Sequence, residues 1–425
     1  MGDGMGDFDQ TEAITTLRKY NGDLKDLEQE LCHYSKNSNI ALVLPAAYRE
    51  FDGSCDEKPV YKIIDTLGDV PPYIHEIVMP VGQADESQFR KAKEAMSSLK
   101  TPERSVDLIW INSPRIQSIL NKISKEVRSV GSGKKGQGQW LSDGYVIAKG
   151  ESDSIVHHDC DIYTYDREMI ANLVHPVLCP DMNFEYGTGY YPRIGRDGKM
   201  KGRLTRLLAK PLFVALKIKS RQYSPNDEAF NFLNFLLEHK YIFSGEGFKS
   251  VDFAKTQRIT DDYDIEIVEK REAFDKLRKK VICQKEIADT FEHFHQPLST
   301  DDGKGGLEAM SKKVVTALYE GLMSYGMDLT NDNLRVIEKM YSGFGQDFIK
   351  KYWADSISRG LGYDRPGEES NIEFFYKCLK SVRKDMFDGD GSEDMVVTIP
   401  NWERVHSAIP GVYDELIGAV HADNK

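Results

Sequence analysis

The chain has 425 residues, of which 40% are hydrophobic and 29% charged, a composition typical of a globular protein with one large or two smaller domains. Its 68 acidic side chains outnumber 56 basic ones, and the net charge of −12 disfavours nucleic acids and anionic lipid surfaces as partners. Its six cysteines include no C-x-x-C pair, which argues against a zinc ribbon. It has no apolar run long enough for a membrane span, and its acidic, Gly-rich start is unlike a signal peptide, so we expect a cytoplasmic protein.

The first elements in chain order are a helical lead-in and a series of buried strands. Residues 1–38 predict the lead-in, from leucines near helical spacing at Leu17, Leu24, Leu27 and Leu31. Apolar runs then predict strands at 40–44, 74–81, 106–111 and 154–158. Amphipathic segments such as 115–127 predict helices between them.

This alternation favours an α/β fold with a Rossmann-like, mostly parallel sheet over residues 39–304. The apolar spacing changes at about residue 305, and residues 305–425 are predicted to form a mainly helical C-terminal region. In open sheets of this kind ligands bind beyond the carboxyl ends of the strands. We therefore expect the site to lie after the strands that end near residues 44 and 158.

Two carboxylates follow the strand predicted at 154–158. Asp159 and Asp161 are two residues apart, directly after His157 and His158. Carboxylates placed this way can hold a hard divalent cation, and Mg²⁺ or Mn²⁺ commonly neutralises the charge of a departing diphosphate. The same D-x-D pattern is frequent in surface loops, so the pattern alone leaves a plain loop as the alternative.

A second histidine pair stands much later, at His293 and His295. Alternating residues of an extended segment face the same side, and neutral imidazole is a common metal ligand. Two histidines without a ligand are the plainer interpretation of this pair alone.

The most basic stretch runs from residue 193 to residue 210, with seven cations and a single acidic residue, Asp197. Within it, Gly202 permits close backbone approach, Arg203 offers a bidentate fork, and Thr205 adds a hydroxyl at a predicted helix start. These features suit a phosphate. A solvated basic helix face is equally compatible with the composition.

A Gly-rich segment at 131–136 also suggests phosphate binding, through a loop that presents Lys135 to a nucleotide diphosphate. It is not a Walker A motif, because Gln137 stands where that motif has its Lys. A surface loop without a ligand is the alternative interpretation.

Together these motifs resemble those of the retaining GT-A glycosyltransferases that make glucosyl-3-phosphoglycerate. The matching segments are Leu44-Pro45-Ala46, Lys135-Gly136, Asp159-Cys160-Asp161, Gly202 through Leu212, Ser244-Gly245-Glu246 and His293. The resemblance covers about residues 39–325, and the string from Gly202 to Leu212 is its most specific part.

The resemblance implies a GT-A fold and a metal-dependent retaining glucosyltransferase, with an NDP-glucose (UDP- or GDP-) as donor and 3-phosphoglycerate as acceptor. It implies that Asp161 and His293, with Asp159 beside them, hold Mg²⁺ or Mn²⁺. The residues it assigns to the donor nucleotide are Pro45, Ala46 and Lys135. Those it assigns to the acceptor are Gly202, Arg203, Leu204, Thr205 and His295. Glu246 is the predicted catalytic residue near the sugar.

The sequence departs from the family pattern at 47–50 and at 79–81, which leaves the nucleotide base open. Transfer to free glycerate and transfer of mannose are alternatives within the same fold. A metallohydrolase is an alternative of another class, with a ligand set drawn from His157, His158, Asp159, Asp161, His293 and His295. A non-catalytic sugar-nucleotide-binding protein is a further alternative, and a homodimer is one assembly the chain could form.

Overall fold

The structure is a computed structural model that describes residues 10, 12–54, 57–131, 135–294, 298, 306–388, 396 and 398–425. The strands are β1 (Thr15–Leu17), β2 (Ile40–Val43), β3 (Ala46–Ala47), β4 (Glu76–Gly82), β5 (Ser105–Trp110), β6 (Ser154–His157), β7 (Tyr186–Tyr190), β8 (Gly247–Ser250), β9 (Ile259–Thr260), β10 (Ile282–Glu286) and β11 (Thr398–Ile399).

The helices of the first half of the chain are α1 (Leu24–Tyr34), α2 (Arg49–Asp52), α3 (Pro59–Gly68), α4 (Glu86–Met96), α5 (Pro114–Glu126), α6 (Lys135–Lys149) and α7 (Arg167–Leu178). Those of the second half are α8 (Lys210–Tyr223), α9 (Glu228–Glu238), α10 (Val251–Thr256), α11 (Ile265–Lys276), α12 (Gly306–Ser324), α13 (Asn331–Ser358), α14 (Arg365–Asp388), α15 (Trp402–Ala408) and α16 (Val412–Asn424). A π-helical turn, Leu204–Ala209, precedes α8.

Nine strands of the described residues form one sheet in the order β1-β10-β7-β8-β6-β2-β4-β3, with β5 on the other side of β4. Neighbouring strands are parallel except β8, which runs antiparallel to both β6 and β7. A separate antiparallel pair joins β9 to β11. The mostly parallel α/β sheet predicted from the sequence is confirmed.

The central strand β2 shows why its sequence is an unbroken apolar run. Ile40 and Leu42 face the core built with α1, α3, α4 and α7, whereas Ala41 and Val43 face the core built with α5, α6 and α16. A strand that is covered by helices on both faces has no solvent side, so both of its alternating residue sets are apolar.

A third core lies among helices α8, α9 and α12–α14, and it includes Ile282 of β10. The last residues of the chain do not join it. Instead α16 packs against α5, α6 and β5 on the second face of the sheet, where Trp402 stacks on Trp140 with ring centroids 4.3 Å apart. The predicted boundary at residue 304 stays a prediction, and helices from beyond it cover two different parts of the chain.

The predicted lead-in over 1–38 is partly wrong. Leu24–Tyr34 is helical, but Leu17 lies in β1, which pairs in parallel with β10 at the edge of the sheet. A three-residue strand has too few residues to show a period, so its identity depends on its partner. Among the described helices, none has both the length and the apolar character needed to cross a bilayer.

Candidate active site

The carboxyl ends of β2, β4 and β6 open into a cavity of about 310 Å³. Sequence-predicted residues from five separate segments line it, namely Pro45, Ala46, Lys135, Asp159, Asp161, Gly202, Arg203, Leu204 and His293. Thr205 is buried behind Leu204, and Glu246 lines a smaller adjoining cavity of about 20 Å³. His295 lies outside the described residues.

His293 is brought to the carboxylates by a short backbone pairing after β6. The N–H of Phe294 donates to the carbonyl of Asp161 (3.1 Å), and the N–H of Tyr163 donates to that of Glu292 (2.8 Å). This pairing puts His293 Nδ1 3.8 Å from a carboxylate oxygen of Asp161. Asp161 and His293, which are about 130 positions apart in sequence, therefore lie side by side in the lining of the cavity.

The surroundings of Asp161 favour the binding of a cation. Burial, together with the charge of Asp159, raises the pKa of Asp161 to about 7. Its Oδ1 is buried with no hydrogen-bond partner. A buried carboxylate oxygen without a donor is a costly arrangement that a bound cation would relieve, so Asp161 and His293 fit a metal. No group of three such side chains among the described residues surrounds an ion by itself.

Lys135 is the first residue of α6, whereas the sequence predicted it in a loop. Its Nζ lies 3.0 Å from Asp159 and 3.3 Å from Glu266. Burial opposes the charged amine, but these two carboxylates outweigh it and hold the pKa of Lys135 well above its usual value. A Cβ on the next residue, Gly136, would come within 1.9 Å of the Thr260 carbonyl oxygen, so the close approach to β9 requires glycine.

Six of the seven cations in the basic stretch make different kinds of contact. Arg203 lines the cavity, as does Arg193, whose Nη1 donates to the Tyr241 hydroxyl. Lys210 donates to carbonyls at the end of α9. Those in ion pairs with acidic side chains are Arg196, Lys201 and Arg206. The stretch is therefore neither wholly an anion site nor wholly a solvated helix face.

Glu246 lies behind the residues that line the main cavity. It accepts hydrogen bonds from Tyr191 Oη and from Ser244 Oγ (3.1 Å), and only 1% of it is exposed. Burial, followed by the charge of Asp159, raises the pKa of Glu246 to about 7. A Cβ at Gly245 would come within 2.1 Å of Asp159, so glycine lets the segment before β8 approach the D-x-D segment.

The hydrolase ligand set is not assembled. His157 Nε2 lies 2.9 Å from Asp143 on α6, and His157 lines the smaller adjoining cavity. His158 is fully buried against Tyr165, and burial lowers its pKa to about 3, which keeps it neutral. Neither histidine lines the main cavity.

Several lining residues were missed by the sequence reasoning. Glu266 comes from α11, and Leu307 and Met310 come from α12, far from any motif. Glu50 lies within one of the segments that depart from the family pattern; burial and the charge of Asp161 raise its pKa to about 8. Only Arg193, inside the basic stretch, carried a signal that could have found it.

The mostly parallel sheet, the carboxylates beside its strand ends and the phosphate-type segments around one cavity are the features expected of a glycosyltransferase of the nucleotide-sugar class. No protein-family model matches the chain. It is 35% identical over 422 residues to a glucosyl-3-phosphoglycerate synthase of Persephonella marina, covering 99% of this chain and all of that protein. It is 30% identical over 421 residues to the enzyme of the same name from Methanococcoides burtonii, covering 99% and 98%.

Solved structures of the Mycobacterium tuberculosis glucosyl-3-phosphoglycerate synthase share the fold. Its complex with phosphoglyceric acid has a TM-score of 0.51 at 22% identity, covering 74% of this chain and 89% of that one. Its complex with Mn²⁺, UDP-glucose and phosphoglyceric acid gives the same score over 75% and 89%. The chain belongs to the glucosyl-3-phosphoglycerate synthase family.

Proposed function

We propose that this chain transfers glucose from a nucleoside-diphosphate glucose to 3-phospho-D-glycerate, and that UDP-glucose is the donor. The observation that carries the proposal is that Asp161 with His293, the half-buried Lys135 and the segment that begins at Gly202 all line one cavity. Full-length similarity to two enzymes named for this product supports it. UDP-glucose and Mn²⁺ occur together in the complex of the M. tuberculosis enzyme.

Asp161 and His293 would hold Mg²⁺ or Mn²⁺, with Asp159 close by. Two protein ligands suffice for Mg²⁺, which usually keeps waters and phosphate oxygens as its remaining ligands. The cation would neutralise charge that develops on the departing diphosphate. Lys135, which is held charged between two carboxylates, would bind the same diphosphate from the side of α6.

The acceptor phosphate would lie against Gly202–Thr205. Gly202 has a φ of +73°, a conformation that favours glycine and turns the backbone just before Arg203. Arg203 lines the cavity, where its planar guanidinium can fork onto two phosphate oxygens. Pro45 and Ala46 would border the nucleotide at the opposite wall.

In the transfer, the bond between glucose C1 and the diphosphate oxygen breaks, and a bond forms between C1 and the acceptor hydroxyl oxygen. We propose that the departing diphosphate takes the hydroxyl proton on the same face of the sugar, which retains the anomeric configuration. Glu246, held by hydrogen bonds from Tyr191 and Ser244, would help to orient the sugar. A homodimer and a cytoplasmic location stay predictions.

The test is product analysis by mass spectrometry with Mg²⁺, 3-phosphoglycerate and each of UDP-glucose, GDP-glucose and GDP-mannose. We expect glucosyl-3-phosphoglycerate with UDP-glucose, and no product in EDTA. Glycerate in place of 3-phosphoglycerate is the matched control for the phosphate. Faster transfer to glycerate would replace the proposal with direct glucosylglycerate synthesis, and binding without turnover would make the chain a sugar-nucleotide-binding protein.

A further inference from the structure

The proposed acceptor-phosphate segment continues into an unusual helical turn. Leu204–Ala209 is π-helical, and the N–H of Lys210 donates to the carbonyl of Thr205, five residues earlier. A π turn is rarer and less favourable than an α turn and is often found at functional sites. Contacts from outside the turn must therefore help to hold Gly202–Thr205 in place.

Arg206 is the side chain that makes these contacts. Its Nε donates to the carbonyl of Lys201 (2.7 Å), the residue just before Gly202. Its two terminal nitrogens fork onto Glu368 of α14, at 2.6 and 3.0 Å. The two side chains are 9% and 12% exposed, so the pair is largely shielded from water. A bidentate pair of this kind fixes orientation as well as distance.

Tyr341 and Tyr352 of α13 also join the same turn to the C-terminal helices, and Tyr363 contacts Glu368 itself. The hydroxyl of Tyr341 on α13 donates to the carbonyl of Leu207 (2.8 Å), inside the π turn. The hydroxyl of Tyr363 donates to Glu368 Oε2 (3.3 Å), the same oxygen that accepts from Arg206 Nη1, and so further restrains the carboxylate. The Arg206 guanidinium also lies over the Tyr352 ring, 4.9 Å from its centroid.

We infer that Glu368 is a positioning residue for the acceptor: through Arg206 and the Lys201 carbonyl, α14 holds the phosphate-binding turn in its binding geometry. This inference rests on the proposed function and deepens it, because it assigns the C-terminal helices a role at the acceptor site. Glu368 does not line the cavity, so it acts through Arg206. Its charge also favours the charged form of Arg203, whose pKa is lowered by burial.

The first test is steady-state kinetics of Glu368→Gln, which keeps the side-chain shape and removes the charge. We expect the KM for 3-phosphoglycerate to rise about tenfold, since a charge-assisted bond weakens and the turn loosens. The KM for UDP-glucose should stay within about twofold. Glu369→Gln is the matched control, because Glu369 is the next residue, is 43% exposed and, among the described residues, forms its ion pair with Arg365 on its own helix. Both of its KM values should equal those of the wild type.

A double variant, Arg206→Met with Glu368→Leu, separates positioning from stability. Replacing both partners of a buried ion pair by apolar residues is often neutral for stability. We expect its melting temperature to return toward the wild-type value while the KM for 3-phosphoglycerate stays raised, because the Lys201 carbonyl has lost its donor. An acceptor KM that recovers with the melting temperature would overturn the inference, as would Glu368→Gln kinetics identical to those of Glu369→Gln.

Calorimetric titration with 3-phosphoglycerate keeps this inference distinct from the proposed function. If the wild type binds 3-phosphoglycerate but transfers no glucose, the proposed function fails, and a weaker affinity of Glu368→Gln still supports the positioning role. If the wild type transfers glucose and Glu368→Gln binds 3-phosphoglycerate equally well, the positioning role alone is wrong. If the wild type does not bind 3-phosphoglycerate, both are wrong.

Discussion

Asp161 is the residue on which the proposed metal dependence rests most directly. It combines a buried, unpartnered oxygen with a neighbouring imidazole. We expect Asp161→Asn to lower kcat/KM by at least about 10³-fold, because an amide cannot supply the negative charge that holds the cation. EDTA should do the same to the wild type, and added Mg²⁺ or Mn²⁺ should restore only the wild type. Full turnover in EDTA would remove the metal from the mechanism.

Arg203 is the side chain that most directly tests the acceptor phosphate. We expect Arg203→Ala to lower kcat/KM for 3-phosphoglycerate by about 30- to 1,000-fold, which corresponds to a loss of roughly 2–4 kcal/mol of charge-assisted hydrogen bonding. Arg203→Lys should recover only part, since a point charge cannot reproduce the planar fork. Donor affinity measured without acceptor should change little. Equal losses for both substrates would assign Arg203 to the general shape of the cavity instead.

His239 makes stability depend on pH away from the active site. Its burial, reinforced by the charges of Lys270 and Lys210, holds the pKa of His239 well below its usual value, while Nδ1 lies 2.8 Å from the Phe235 carbonyl oxygen. Below about pH 6.5, the imidazole of His239 therefore binds a proton in the unfolded chain but stays neutral in the folded chain. The free energy of unfolding should fall as the pH drops below about 6.5.

Urea unfolding at pH 7.0 and pH 5.5 measures this contribution. The wild type should lose about 1 kcal/mol more over this interval than His239→Asn, which keeps a donor near the Nδ1 position but does not titrate. His421→Asn, a change at an exposed histidine of α16, is the matched control and should leave the slope at its wild-type value. An unchanged slope in His239→Asn would show that other groups carry the acid sensitivity.

At the scale of elements, the contact between α15 and α6 shows how the chain end supports the sheet. Trp402 stacks on Trp140, its indole N–H donates to the Trp140 carbonyl (2.8 Å), and the Trp140 indole donates to the Pro400 carbonyl (2.8 Å). A Cβ at Gly144 would lie 2.0 Å from the Trp402 ring, so α6 has a glycine where the indole fits. The same helix begins at Lys135, which connects this packing to the cavity.

Trp402→Ala should therefore lower the free energy of unfolding by about 3–5 kcal/mol, since it leaves a large cavity where the buried indole was. Trp353→Ala is the matched control, because Trp353 is 45% exposed on α13 and its loss should stay within about 0.5 kcal/mol. Chemical denaturation followed by circular dichroism measures both. Similar values for the two variants would mean that α15 contributes little to the stability of the sheet.

A second set of contacts between elements surrounds Lys249 of β8, which is fully buried. Its Nζ lies 2.8 Å from Asp143 on α6 and 2.8 Å from Glu269 on α11, and Asp143 in turn contacts His157 of β6. These elements are the ones that carry Lys135, Glu266 and the D-x-D segment. Buried charges that satisfy one another in this way restrict how the elements can shift relative to one another.

For the whole molecule, ligand binding should appear as a gain in stability. A ligand that binds only the folded state at 100 times its Kd adds about 2.7 kcal/mol. We expect UDP-glucose with Mg²⁺ to raise the melting temperature of the wild type, and UDP-glucose in EDTA to raise it less. In Asp161→Asn the two conditions should be equal. A larger shift with GDP-glucose than with UDP-glucose would change the assigned donor.

The local chemistry of the sequence was sufficient for the central fold. The strands near residues 40, 76, 105 and 154 were predicted within about two residues at most ends, because strands covered on both faces are rich in apolar residues. The helix predicted over 115–127 lies at Pro114–Glu126, where apolar residues recur at helical spacing. The segments matched to the family also line or adjoin one cavity, as strand ends in an open sheet should.

The tertiary structure decided what depends on distant parts of the chain. Leu17 lies in a strand because it pairs with β10, and Gly136 packs closely on β9, which lies far away in sequence. The contact between Asp161 and His293, the presence of Glu266 in the cavity and the pairing of Arg206 with Glu368 join residues more than 100 positions apart. Periodicity and composition describe neighbours in sequence, whereas these contacts depend on the order of the strands and on which helices cover them.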